Sequence, residues 1–230
     1  MESLSGWFES LLSAGQGAPP VVTVVGSGGK TALIELLARQ LTQDGRKTLA
    51  GPTTKMRPLP PIPGVTMTGR LNRESGKLES LPLPELERAI RDYDLVLLEG
   101  DGSRGLPLKG WAPHEPVIPR FTLFTVGILP VWPLGKILSE ELVHRLPLFC
   151  ALTGAKPGEA LRADHLAALV NGRAGQRSLF SEAQGEKILF ISQIEDDAAR
   201  VQARELAALL APGLAAVIAG SARLDRLVLL

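Results

Sequence analysis

Two groups of residues in this 230-residue chain have the types and spacing to act on phosphates. The first is Gly26-Ser27-Gly28-Gly29-Lys30-Thr31, set between the apolar run 21–25 and a helical pattern that begins at Lys30. Glycine has no Cβ, so Gly26, Gly28 and Gly29 can turn successive N–H groups to one side. Those donors, with the positive end of the following helix, form an anion cradle. In such a cradle Lys30 reaches terminal phosphates as a point charge, and the Thr31 hydroxyl ligates Mg²⁺. The long phosphate-loop signature G-x-x-x-x-G-K-[ST] would need glycine at position 24, where the chain has Val24. The shorter G-x-x-G-K-T is complete. The plain alternative is a glycine turn with a solvated lysine at a helix start.

The second group follows the apolar run DLVLL. A loop that binds a triphosphate needs an acid at the end of another strand to hold Mg²⁺. Glu99 and Asp101 supply two. Arg104 and Lys109, just downstream, are expected to neutralise charge on a transferred phosphoryl group, with solvated loop charges as the alternative. Thr53 and Thr54 follow the second strand and are candidates for positioning metal or water, or for capping the loop. His114, Glu115, His144 and Arg145 complete the candidates; a histidine packs or caps as readily as it binds. No zinc or nickel site is expected, because one cysteine and three histidines (114, 144, 165) lack close ligand spacing. Cys150 lies in the apolar LPLFCAL and is expected in the core. Its rival reading, a reactive thiol, requires an exposed sulfur of low pKa.

Elements that could position these groups are legible from periodicity. Strands are expected at 21–25, 47–50, 94–98, 122–128, 187–194 and 214–219. Helices are expected at 30–43 (ended by Asp44-Gly45), 82–93, near 139–147, 162–171 and 198–210. Residues 51–82 are rich in proline, glycine and charge, which predicts loop and a hairpin. Strand and helix alternate, and the strands are unbroken apolar runs. Both features predict an α/β fold of the P-loop NTPase type, a mostly parallel sheet with helices on both faces. The division expected is a helical extension over 1–18 and one α/β domain over 19–230, with a proline-rich excursion at 51–82. Ligands of such sheets sit at the carboxyl ends of the strands, where both groups fall.

Composition narrows the partners. An apolar fraction of 45% supports a sizeable core, and 25 basic against 24 acidic residues leave a net charge of +1. That balance offers neither a nucleic-acid footprint nor a polybasic membrane patch. The acidic start, MESLSGWFESLLSAG, lacks the positive charge of an export signal, and no apolar run is long enough to span a bilayer. A single cysteine excludes an internal disulfide, so a cytoplasmic location is expected.

The G-x-x-G-K-T loop resembles that of the Mur ligases, which bind ATP without the distant glycine. Glu99-Gly100-Asp101-Gly102 matches the E-x-x-G of metallochaperone GTPases that insert nickel or cobalamin. GSGGKT, PTTKM, LLEGDGSRGLPLKGWAPHEPVIP and Val143-His144-Arg145 together resemble the selenium-dependent hydroxylase accessory proteins of the YqeC type, over roughly residues 20 to 195. That resemblance implies a role in maturing molybdenum hydroxylases that carry a labile selenium, with the hydroxylase or its cofactor as partner. GTP-specific relatives read guanine with N-K-x-D, whereas the matching place here is Ser192-Gln193-Ile194-Glu195. Glu195 keeps the carboxylate one methylene further out and serine is too short to copy asparagine, so ATP and GTP both remain open. Three functions follow: Mg²⁺-dependent triphosphate hydrolysis, phosphoryl transfer by a kinase or ligase to a small acceptor near 101–119, or a nucleotide-responsive binding module without turnover. Oligomeric state is not legible.

Overall fold

The computed structural model describes residues 3–13, 19–43, 45–228 and 230. The end of the expected N-terminal extension, 14–18, and Asp44 lie outside those residues. In chain order the central sheet contains β1 (Val21–Gly26), β2 (Thr48–Pro52), β3 (Val65–Met67) and β4 (Leu95–Glu99), then β5 (Phe124–Pro130), β6 (Glu186–Ser192), β7 (Ala216–Ser221) and β8 (Arg226–Val228). In space they run β8-β7-β6-β5-β1-β4-β2-β3. All neighbours are parallel except β7 with β8. The strand that leads into the glycine bend is therefore flanked directly by β4, which carries Glu99 (Val24 beside Glu99), and by β5 (Gly26 beside Ile128).

Side chains alternate along each strand, and both faces are covered, which is why the strands read as continuous apolar runs. The helices are α1 (Leu4–Ser13), α2 (Lys30–Leu41), α3 (Leu83–Ala89), α4 (Leu146–Thr153), α5 (Ala163–Asn171) and α6 (Asp197–Ala208). Phe8 of α1 and Leu33, Ile34 and Leu37 of α2 pack on Val22, Val24, Ile128 and Phe190. On the opposite face, Phe149, Leu166 and Leu206 of α4–α6 meet Val25, Leu129 and Ile191, and Leu86 of α3 meets Val96 and Leu98. Burial at about 25 cal/mol per Å² of apolar surface makes these layers the main source of stability. No helix among the described residues is long and apolar enough to cross a membrane.

The structure departs from the sequence expectations in three places. The 51–82 excursion is ordered: β3 returns to the central sheet beside β2, and Lys55–Met56, Lys77–Glu79 and Arg70–Asn72 form a small antiparallel sheet. Segments of two or three residues give no readable period, so pairing across the excursion decided them. Residues 139–145 are not helical. Val143–His144 instead pairs parallel with Leu108–Lys109, and α4 begins at Leu146 with Pro147 in its first turn. Proline suits a first turn but disfavours helix in the residue before it, so it moves the helix start downstream. Strand β8 was too short to predict.

Candidate functional site

The bend after β1 has left-handed glycines at Gly26 (φ 97°), Gly28 (φ 81°) and Gly29 (φ 133°). A Cβ on Gly26 would strike the Ile128 carbonyl, and one on Gly28 the Pro130 ring, so neither position accepts another residue. The cradle is narrower than the sequence implies. Gly26 N–H donates to both carboxylate oxygens of Asp101 (3.0 and 3.1 Å), and Ser27 N–H donates to the Ile128 carbonyl (3.1 Å). These two amides are committed inside the protein, so anion binding falls to Gly28, Gly29 and the first turn of α2. That helix has no side-chain cap at Gly29, and the N–H groups of a first turn lack partners within the helix. Ser192 Oγ (2.7 Å) and Gln193 Nε2 (3.0 Å) both donate to the Gly28 carbonyl, tying the bend to the end of β6. The buried Ser27 hydroxyl has no partner among the described residues.

Lys30 is folded back on the bend. Its Nζ donates to the Gly26 carbonyl at 2.6 Å and lies 3.3 Å from Asp101 Oδ1 and 3.9 Å from Glu99 Oε1. Thr31 Oγ1 donates to Glu99 Oε2 at 3.0 Å. Burial raises the pKa of Glu99 above the ordinary carboxylate value, more strongly than Lys30 and the Thr31 bond lower it. The hydroxyl and the carboxylate are hard oxygen donors on two neighbouring elements. They fit Mg²⁺, which takes one or two protein oxygens with phosphate and water.

The two acids at the strand end have different surroundings. Glu99 lines the cleft beside the bend, whereas Asp101 does not and is fully buried. Besides Gly26 N–H and Lys30, Asp101 Oδ2 accepts from Trp111 Nε1 (2.8 Å) and Lys109 Nζ (3.1 Å). With both oxygens engaged, Asp101 clamps the bend; the metal role expected of it has no free oxygen to act through. Lys109 is equally displaced from its expected place at the phosphates. It has no solvent exposure, and its Nζ donates to the Gly102 carbonyl (2.7 Å) and to Glu115 Oε2 (2.7 Å). Arg145 closes the network with two hydrogen bonds to Glu115 (2.6 and 3.2 Å). Burial pushes Glu115 up, but the Arg145 and Lys109 bonds outweigh it and bring its pKa down to about 2. His144, paired beside Lys109 in the short sheet, is lowered to about 4 by burial and by Arg145, Lys109 and Arg104. It is neutral at pH 7.

The remaining candidates divide in the same way. Thr53 Oγ1 donates to the Val117 carbonyl (2.6 Å), which joins the loop after β2 to the 113–119 segment. The Thr54 hydroxyl is buried without a partner among the described residues. His114 is exposed and lines neither cleft described here. Cys150 is half-buried with its thiol pKa raised by burial and by Glu159, the opposite of what a reactive thiolate requires.

Two clefts meet at the bend. The first, about 710 Å³, lies between Gly28–Thr31 and a wall that carries Lys55, Arg57, Lys77 and the exposed Arg104. The second, about 540 Å³, runs along the ends of β6 and β7 and includes Glu195, whose Oε2 accepts from Arg223 (3.0 Å). Trp132 and Gln193 border both clefts. Sequence reasoning missed the three wall cations of the excursion, together with Trp111, Trp132 and the bonds by which Ser192 and Gln193 hold the bend. A run of charge inside a proline-rich loop carries no spacing rule, so only the return of the chain to the sheet brings it opposite the bend.

The YqeC protein family matches this chain over residues 22–147, which includes the bend, β4 and most of the interior ion network. A relative from Escherichia coli (strain K12), described as an uncharacterized protein YqeC, is 32% identical over 181 residues, covering 70% of this chain and 71% of that protein. No solved structure matches the chain. On both counts the chain belongs to the YqeC family.

Proposed function

We propose that the chain is a Mg²⁺-dependent nucleoside triphosphatase of the P-loop type, taking ATP or GTP, that serves maturation of a selenium-dependent molybdenum hydroxylase. The reaction rests on one observation: Gly28, Gly29 and the α2 first turn, whose amides have no partner among the described residues, line one cleft with Glu99, Lys30 and Thr31. The pathway rests on the resemblance of the sequence blocks to hydroxylase accessory proteins, and the hydroxylase or its cofactor is the partner proposed.

In this reading the Gly28 and Gly29 amides bind the phosphate chain, and Lys30 exchanges its bond to the Gly26 carbonyl for the terminal phosphates. Thr31 and Glu99 would hold Mg²⁺, whose charge offsets that of the β- and γ-phosphates. A water oxygen bonds to the γ-phosphorus as the bridging bond to the β-phosphate breaks, giving the nucleoside diphosphate, inorganic phosphate and a proton. Arg104, on the cleft wall, stabilises the charge that develops. Glu195 and Gln193 line the second cleft and would meet the base there.

Titration calorimetry tests the assignment. Lys30→Ala is expected to abolish Mg²⁺–triphosphate binding, with thermal melting to verify the fold; wild-type affinity in that variant would refute it. Transfer to a small acceptor is the second reading, and the cations of the wall favour it.

A further inference from the structure

The first cleft carries more positive charge than a triphosphate held at the bend can use. Five cations line it, Lys30, Lys55, Arg57, Lys77 and Arg104, against a single acid, Glu99. Lys30 is held by the bend, and Lys55 pairs with Glu79 at 2.7 Å. Among the described residues Arg57, Lys77 and Arg104 form no ion pair. Arg104 is also left-handed (φ 54°), a strained conformation for a non-glycine residue of the kind that gathers at ligand clamps. The three come from opposite directions: Arg57 and Lys77 from the excursion, Arg104 from the loop after β4.

The second cleft explains why the nucleotide does not consume these charges. It opens on the other side of Gly28 and Gly29, along β6 and β7, and offers the base and sugar a separate 540 Å³. A phosphate chain on the bend with its base there leaves the wall of the 710 Å³ cleft facing the γ-phosphate side. That volume lies within the roughly 300–1,000 Å³ of small-molecule sites.

We propose that Arg57, Lys77 and Arg104 form a second anion site, which binds a phosphate- or diphosphate-bearing small molecule opposite the nucleotide. The placement rests on the nucleotide reading above, but the site itself can be tested apart from it. A phosphate monoester carries about −1.5 to −2 charges at pH 7, which three converging cations match.

Inorganic pyrophosphate is the probe, titrated into protein saturated with Mg²⁺ and a non-hydrolysable ATP analogue. Pyrophosphate is expected to bind on top of the analogue. The double variant Arg57→Gln, Lys77→Gln should weaken it at least about tenfold while analogue affinity stays within about twofold. These side chains are exposed or half-buried, so the variant should fold as the parent does. No pyrophosphate binding to the saturated wild type, or a parallel loss of analogue affinity in the variant, overturns the second site. If no nucleotide binds at all, pyrophosphate is titrated into the nucleotide-free wild type, the double variant, and Lys30→Ala or Thr31→Val. Loss confined to the double variant upholds the site without the nucleotide reading, and loss confined to the bend variants overturns it.

Discussion

Replacing Lys109 by methionine separates a structural role from a catalytic one. The substitution keeps an unbranched side chain as far as Cε and removes the ammonium that joins Asp101 Oδ2 (3.1 Å), Glu115 Oε2 (2.7 Å) and the Gly102 carbonyl (2.7 Å). Removing one partner of a buried ion pair costs about 3–5 kcal/mol, because the other charge is left in a poor solvent. Asp101 would keep Gly26 N–H, Trp111 and Lys30, and Glu115 would keep Arg145, so the lower end of that range is expected. For a chain of 150–250 residues each kcal/mol moves the melting temperature by about 2–4 °C, so a loss of about 3 kcal/mol should lower it by about 6–12 °C. Urea unfolding with an unchanged m-value should give the same loss. In a Glu115→Gln background the cost of Lys109→Met should shrink by about 0.5–3 kcal/mol, because the two groups share one bond. A variant within about 1 kcal/mol of wild type that had nevertheless lost turnover would refute this reasoning, and would put Lys109 at the phosphates.

Two further outcomes follow from the charges. Glu99 has a raised pKa, and a protonated carboxyl cannot hold Mg²⁺. Metal-dependent triphosphate affinity should therefore fall with pH above the ordinary carboxylate range, and Glu99→Gln should abolish that step in titrations run across pH. Glu115 is lowered from 4.5 to about 2, a stabilisation of about 3 kcal/mol that is fully present above pH 4.5 and lost as pH falls through about 2. In acid-unfolding curves the gap between wild type and Glu115→Gln should narrow across that window; a constant gap would show that Glu115 is not ionised in the folded chain.

The interior network also shows where reading residue types by position fails. Asp101 and Lys109 fall at the mouth of a central strand, where sheets of this class place ligands, and their types suit phosphate chemistry. Spacing of two residues between Glu99 and Asp101 should put both on one face of a strand, yet β4 ends at Glu99 and the chain turns. Asp101 then points under the bend. Arg145 and Glu115 were visible as charged residues in distinctive blocks, but 30 residues separate them and nothing in the sequence says that they pair. Arg57 and Lys77 carry no spacing signal inside the excursion, and only its return to the sheet as β3 brings them to the cleft wall.

The sequence alone determined the parallel α/β core, because unbroken apolar runs alternating with amphipathic helices can bury their faces in few other ways. It also determined the glycine bend and the Lys30–Thr31 pair, since that conformation and chemistry are local to six consecutive residues. The tertiary structure decided which acid faces the cleft, which amides remain uncommitted, and that the excursion supplies a cationic wall. Those outcomes depend on desolvation and on pairing between residues distant in the chain, and both arise only once β1, β4 and β5 lie side by side.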